Sequence, residues 1–76
     1  MQLRWQDYVE ENREILAGKP VFKGTRLSVE FILRQMATGM KADELLNEYP
    51  TLREEHLQAA ILYAADLIEM EQTIYK

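Results

Sequence analysis

The run GKPVFKGTRLSV occupies residues 18–29 and combines two glycines, one proline and three cations without an acidic residue. Glycine adopts the positive φ values that tight turns require, and proline fixes its own φ. Gly18, Pro20 and Gly24 are therefore predicted to shape the backbone. Ser28, near the end of the run, is a suitable N-cap residue for a helix. The run predicts a tight turn that leads into the first helix.

The residues before and within this run predict β-structure. Leu3, Trp5 and Val9 occupy odd positions, and Gln2, Arg4 and Gln6 occupy even ones, a period-two pattern that is typical of a strand. Within the run, Val21-Phe22 and Arg26-Leu27 predict the two short strands of a hairpin. A hairpin of this length needs a partner surface for its stability.

Three helices are predicted in the rest of the chain. The first begins after Ser28 and ends at Gly39, the second covers residues 42–48, and the third runs from about Arg53 into the low seventies. Pro50 ends the second helix. Apolar residues recur at helical spacing in the third helix, and the face predicted to lie in the core consists of Leu57, Ala60, Ile61, Ala64 and Ile68.

These elements predict one mainly α-helical domain over residues 1–76. A strand-rich hairpin arm at residues 1–27, which includes the basic turn, precedes a three-helix, helix-turn-helix-like bundle at residues 28–76. A chain of 76 residues without cysteine has a small core and no disulfide, so we expect a homo-oligomer, in its simplest form a dimer. No apolar run suits a signal peptide or a membrane span, which predicts a cytoplasmic protein without membrane contact.

The residue types exclude several classes of function. The chain has no cysteine and a single histidine, so no metal site, no cofactor and no catalytic triad is predicted. The acid pairs Asp43-Glu44 and Glu54-Glu55 begin predicted helices, where they complement the helix dipole without acid–base chemistry. His56 is predicted to be a solvated surface residue. The sequence therefore favours a protein that is not an enzyme.

Charge is distributed unevenly along a chain whose net charge is −4. Residues 13–41 carry six cations and two acids, a balance of +4, whereas residues 42–76 carry two cations and eight acids, a balance of −6. A basic segment attracts anions even on an acidic protein. The candidate nucleic-acid or anion contacts are Lys19, Lys23, Arg26 and Arg34. Alternatively, the two halves neutralise each other, the lysines serve solubility, and Arg26 braces the turn.

Several motifs resemble a bacterial protein family, the domain-of-unknown-function 433 family. GKPVFKGTRL at residues 18–27 resembles that family's signature GKPVIxGTRI. The segments that follow agree with the family in order: Gly39-Met40, Glu44-Leu45-Leu46, Glu48-Tyr49-Pro50 and the helix from Leu57 to Ala64. The resemblance covers residues 9–68. The chain departs from it at Lys41 and Arg53, where the family often has a serine or threonine cap, and this weakens the predicted starts of the second and third helices.

The resemblance implies a helix-turn-helix-like antitoxin of the VapB type, encoded beside a PIN-like ribonuclease toxin that it binds and neutralises. It also implies operator DNA as a candidate second partner, through which the antitoxin would regulate its own operon. The alternative is a sequence-specific DNA-binding regulator without a toxin. The third helix begins Arg53-Glu54-Glu55-His56, and DNA should repel these acids. Any DNA contact is therefore expected at the basic turn and Arg34.

A second apolar stripe marks the C-terminal half of the third helix. It consists of Tyr63, Leu67, Met70 and Ile74 at spacing i, i+4, i+7 and i+11. It extends beyond the predicted bundle, so these residues are candidates for partner binding by helix pairing or groove binding. The acidic surroundings suit a basic nuclease. The alternative is packing within the chain against the N-terminal strand, with Trp5 as the contact.

Overall fold

The computed structural model describes the backbone of residues 2–74 and the side chains of residues 2–71. Its elements are, in order, β1 (Val9–Glu11), β2 (Pro20–Phe22), α1 (Val29–Ala37), α2 (Ala42–Glu48) and α3 (Glu54–Ile74), with a 3₁₀ turn at Trp5–Asp7 and a left-handed turn at Leu16–Gly18. The predicted mainly α fold, a short hairpin followed by three helices, is confirmed. No helix in the described range has the length and apolarity to cross a membrane.

The hairpin differs from the prediction in which segments pair. β1 and β2 are antiparallel, with Val9 opposite Phe22 and Glu11 opposite Pro20. The strand predicted over residues 3–9 is wrong for most of its length, because residues 5–7 form a 3₁₀ turn that places Trp5 on α3. Residues 26–27 are not a strand either. The segment returns beside β2 through a hydrogen bond from the Phe22 N–H to the Leu27 carbonyl at 3.1 Å and through an isolated antiparallel bridge between Val21 and Ser28.

The core lies where the hairpin meets all three helices. The largest fully buried side chains come from β2, α1 and α2: Phe22, Ile32, Leu45, Val21 and Val29. From α3, the residues Leu57, Ala59, Ala60 and Tyr63 are buried. The predicted core face of α3 is wrong at Ile61 and Ile68, whose side chains are 51% and 55% exposed. The helix instead turns Tyr63 inward, because the N-terminal segment packs on that side.

At the start of each helix, a side chain accepts a hydrogen bond from a backbone N–H that has no partner within the helix. At α1, the Ser28 Oγ accepts from the Phe31 N–H at 3.0 Å, as the predicted cap requires. Lys41 and Arg53 lack a side chain that can accept in this way. Instead, the Glu44 carboxylate accepts from the Lys41 N–H at 2.8 Å. A side chain three residues later thus compensates for the absent cap at α2, and His56 does the same at α3.

The loop between the strands contains three consecutive residues in the left-handed region. The φ angles are 49° at Leu16, 55° at Ala17 and 87° at Gly18. Two hydrogen bonds hold this turn: the Gly18 N–H donates to the Ile15 carbonyl and the Lys19 N–H donates to the Leu16 carbonyl, both at 3.1 Å. Only glycine adopts such angles without strain. The predicted turn at Gly18 therefore includes two strained neighbours.

This strain predicts opposite effects for two substitutions. Ala17→Gly should raise the free energy of unfolding by about 0.5–1 kcal/mol, because relief of the left-handed strain exceeds the entropy that glycine adds to the unfolded chain. Gly18→Ala should lower it by a similar amount. A Cβ at Gly18 would lie 4.0 Å from the Arg13 Cα, so the loss would be conformational rather than steric. Urea unfolding of both variants checks the signs. Destabilisation by Ala17→Gly would contradict the argument.

Candidate binding surfaces

The basic run folds as β2, a tight turn and the start of α1. Gly24 has a φ of 77°, which permits the turn. The Thr25 Oγ1 donates to the Phe22 carbonyl at 2.8 Å and accepts from the Leu27 N–H at 3.1 Å. Pro20 begins β2, where its missing N–H is tolerated. Backbone geometry thus accounts for these residues and leaves the cations of the run to be explained separately.

The four candidate anion contacts divide into two pairs. Lys19 Nζ lies 3.3 Å and Arg34 Nε 3.1 Å from the carboxylate of Glu30, which therefore binds both. The hydrogen bonds from Arg34 and then Lys19 hold the pKa of Glu30 below its ordinary value. Lys23 and Arg26 are exposed, and within the described residues neither forms an ion pair or a side-chain hydrogen bond. A bracing role for Arg26 would require a hydrogen bond or ion pair from its side chain to the turn, and none is present within the described residues.

Tyr63, the first residue of the candidate partner stripe, is engaged within the chain. Its ring meets Trp5 edge to face, with the centroids 4.7 Å apart, and its hydroxyl donates to the Glu11 carboxylate at 3.2 Å. Burial and this hydrogen bond raise the pKa of Tyr63. Trp5 Nε1 also donates to the Asp66 carboxylate at 2.6 Å. For Tyr63, the alternative of packing against the N-terminal segment therefore holds.

The remaining members of that stripe lie farther along α3. Leu67 is 48% and Met70 64% exposed, as a contact surface for another protein requires. The side chain of Ile74 lies outside the described residues. We call Leu67 and Met70 the inner stripe, because they continue at i+4 and i+7 from buried Tyr63.

A different exposed surface of α3 was missed by sequence reasoning. Ile61, Ala65 and Ile68 share one face at i, i+4 and i+7, and we call them the outer ridge. Ile61 and Met70 are nine residues apart, about two and a half turns, so the outer ridge and the inner stripe lie on opposite sides of the helix. Apolar residues occur on every side of this half of α3. The apolar period alone therefore could not identify the buried side.

An open groove of about 410 Å³ separates α1 from the second half of α3. Its lining is mostly apolar, with Pro20, Val29, Leu33 and Ala37 on one side and Tyr63, Ala64 and Leu67 on the other. Glu30 and Arg34 complete the lining on the α1 side. The inner stripe thus reaches the groove through Leu67, whereas the outer ridge contributes no residue to it.

His56 has a structural role that contradicts its predicted place on the solvated surface. Its Nδ1 accepts a hydrogen bond from the Arg53 N–H at 2.9 Å at the start of α3. Its ring meets the aromatic rings of Tyr8 and Phe22 edge to face, at centroid distances of 5.2 and 5.5 Å. Burial lowers the pKa of His56, although the charge of Glu55 partly opposes this. In the sequence, the signal for this capping role was the three-residue spacing from Arg53 to His56, which is the spacing of a capping box.

The lowered pKa of His56 predicts a loss of stability in mild acid. Below the ordinary histidine pKa of about 6.5, the unfolded chain binds a proton that the folded chain resists. The free energy of unfolding should therefore be fully retained above that pH and fall as the pH decreases through the lower folded-state pKa. His56→Gln keeps a hydrogen-bond acceptor but cannot titrate, so its stability should change less between pH 7 and 5. Urea unfolding at each pH measures both proteins, and parallel curves would contradict the prediction.

Comparison with known proteins identifies the fold and its family. A family model described as "Protein of unknown function (DUF433)" matches residues 9–64, from β1 into α3. The chain belongs to the DUF433 family. The resemblance seen in the basic run is thus confirmed, and the matched DUF433 segment contains all four candidate cations, His56 and Ile61.

Two similar proteins show how far the similarity extends. The crystal structure of a DUF433 member protein from Anabaena variabilis ATCC 29413 superposes with a TM-score of 0.77 at 26% identity, covering 93% of this chain and 71% of that one. The uncharacterized protein y4eO of Sinorhizobium fredii (strain NBRC 101917 / NGR234) is 32% identical over 59 residues, 78% of this chain. The chain spans 27% of the length of that relative.

Proposed function

We propose that this protein is a non-enzymatic antitoxin that binds and neutralises a PIN-like ribonuclease toxin through the outer ridge of α3. The observation that carries the proposal is the exposure of Ile61 and Ile68, with exposed Leu62 beside them. A cluster of exposed large apolar side chains on one helix is typical of a protein interaction site. These residues have no role in the core of the chain.

Charge supports a basic partner at this surface. Residues 54–74 of α3 contain no lysine or arginine, while Glu54 lies seven residues before Ile61 and Glu69 follows Ile68. Complementary potentials favour association and like charges oppose it. A ribonuclease must attract the phosphates of RNA, so its cleft is cationic. Carboxylates around an apolar ridge would bind such a cleft and exclude RNA from it.

Co-expression with the ribonuclease encoded beside it tests the proposal. The ribonuclease alone carries an affinity tag, and its activity on RNA is measured with and without this chain. We expect co-purification in fixed stoichiometry and loss of ribonuclease activity. Ile68→Glu changes the outer ridge while leaving buried Tyr63 in place, and it should restore that activity. Recovery of two separate proteins, or full activity in their mixture, would contradict the proposal.

A second candidate function, the binding of operator DNA, is favoured by Lys23 and Arg26. Both are exposed and without an ion pair in the described range, unlike Lys19 and Arg34. Binding through such cations should weaken steeply with salt, because phosphate contacts release counterions. Arg26→Ala should weaken binding to promoter DNA and reduce its salt dependence. A variant that folds and binds that DNA unchanged would exclude the turn as the contact.

A further inference from the structure

We propose that the protein forms a twofold dimer in which the inner stripe of each copy fills the groove between α1 and α3 of the other. This inference goes beyond the proposed antitoxin function, because it concerns the opposite side of α3. It rests on the length of α3, on the shape of the groove and on the charges around it.

The length of α3 leaves part of its inward side uncovered. Ala60 is fully buried and Tyr63 is 8% exposed, whereas Leu67 and Met70 on the same side are largely exposed. The nine residues of α1 span about 14 Å and the 21 residues of α3 about 32 Å, so α1 cannot cover all of α3. The inner stripe therefore continues the buried side of the helix past the end of the element that covers it.

The groove offers an apolar surface next to this uncovered side. Leu33 and Ala37 of α1 face Ala64 and Leu67 of α3 across it. The two alanines leave room for the close approach of a further helix, and helices pack at axial distances of about 8–10 Å. Leu67 belongs to both the groove and the inner stripe. A single contact between α3 of one copy and α3 of a second copy therefore places the inner stripe of each in the groove of the other. A reciprocal arrangement of this kind closes as a dimer.

Charge complementarity selects a second copy as the occupant. Arg34 and Glu30 line the α1 side of the groove, and Lys19 binds the same Glu30 carboxylate, so these three residues carry one net positive charge. Glu71 is exposed and follows Leu67 by one helical turn. In the dimer, Glu71 of one copy approaches the cations of the other. A basic partner would be repelled at this rim, whereas it would be attracted to the outer ridge.

Sedimentation equilibrium tests which side of α3 is used. We expect a concentration-dependent dimer whose dissociation constant rises at least about 30-fold in Leu67→Glu, the effect of losing a central contact of about 2 kcal/mol. Ile68→Glu introduces the same charge one residue later, on the outer ridge, and should remain dimeric. Leu16→Glu, at an exposed apolar residue on the β1–β2 loop, is the matched control. A monomeric wild-type protein, or equal effects of Leu67→Glu and Ile68→Glu, would overturn the proposal.

Cross-linking between chains tests the same contact without disrupting it. The chain has no cysteine, so single introduced thiols report one position each. A protein with Ala37→Cys is mixed with one carrying Met70→Cys and treated with a short bismaleimide. The proposal expects a covalent heterodimer of these two chains. Replacing Ala37→Cys by Glu48→Cys, exposed on α2, should give little product. Equal yields from both mixtures, or no product from either, would overturn the proposal.

Discussion

Replacement of Phe22 by alanine is expected to lower the free energy of unfolding by about 3–5 kcal/mol. Phe22 is fully buried in β2, where it is paired with Val9 and its ring meets His56 edge to face. Alanine would leave a cavity between the hairpin and the start of α3. A domain of this size has a stability of about 4–11 kcal/mol, so the loss would be a large part of the total. Urea unfolding followed by circular dichroism measures it.

Phe31→Ala is the matched control for this prediction. The same side chain is removed from α1, two residues after buried Val29, but Phe31 is exposed and its ring contacts only Tyr49 among the described aromatic residues, at 5.9 Å. Loss of one exposed aromatic contact should cost about 0.5–1.5 kcal/mol. Similar losses in the two variants would show that the hairpin does not contribute to the core as its burial indicates.

The elements that sequence reasoning predicted correctly are those with local signals. Ser28 caps α1 within three residues, Gly39 follows its end with a φ of 93°, and Pro50 follows α2. Each signal acts on its own backbone or on a neighbour, so its effect can be inferred without knowledge of the tertiary fold. The helix boundaries therefore agree with the prediction to within about one or two residues.

The misassigned segments depend on contacts between distant parts of the chain. The alternation of Leu3, Trp5 and Val9 is compatible with a strand, but Trp5 bonds to Asp66, 61 residues away, and forms a turn instead. The same contact places Tyr63 inward and exposes Ile61. This half of α3 carries apolar residues on all sides. Its buried side is therefore determined by where the N-terminal segment packs and not by the apolar pattern of α3 itself.

The ion pairs of the candidate anion contacts show the same difference between local and long-range signals. The ion pair from Arg34 to Glu30 has i, i+4 spacing on α1 and could be expected from the sequence. The bond from Lys19 to the same carboxylate depends on how β2 packs beside α1, so it could not. As a result, the four candidate cations divide into two that share the Glu30 carboxylate, Lys19 and Arg34, and two without an ion pair within the described residues, Lys23 and Arg26.

Ile68→Glu is expected to weaken binding of the ribonuclease toxin at least about 30-fold, a loss of about 2 kcal/mol. Ile68 is more than half exposed and makes no contribution to the buried core, so the fold should tolerate glutamate there. In the complex, the outer ridge would be covered, and a carboxylate buried without a partner at its centre is costly. Isothermal titration of the purified ribonuclease measures the affinity, while circular dichroism checks that α3 remains folded.

The outcome depends on where the charge is placed rather than on its sign alone. The ridge already has acids at its edge, so a basic partner should tolerate a further acid at the rim but not in the apolar centre. Leu16→Glu adds the same charge at an exposed leucine of the β1–β2 loop and should bind as the wild-type protein does. If both variants bind equally, the outer ridge is not the toxin contact. If both lose affinity equally, net charge governs binding, and the apolar residues of α3 have no specific part in it.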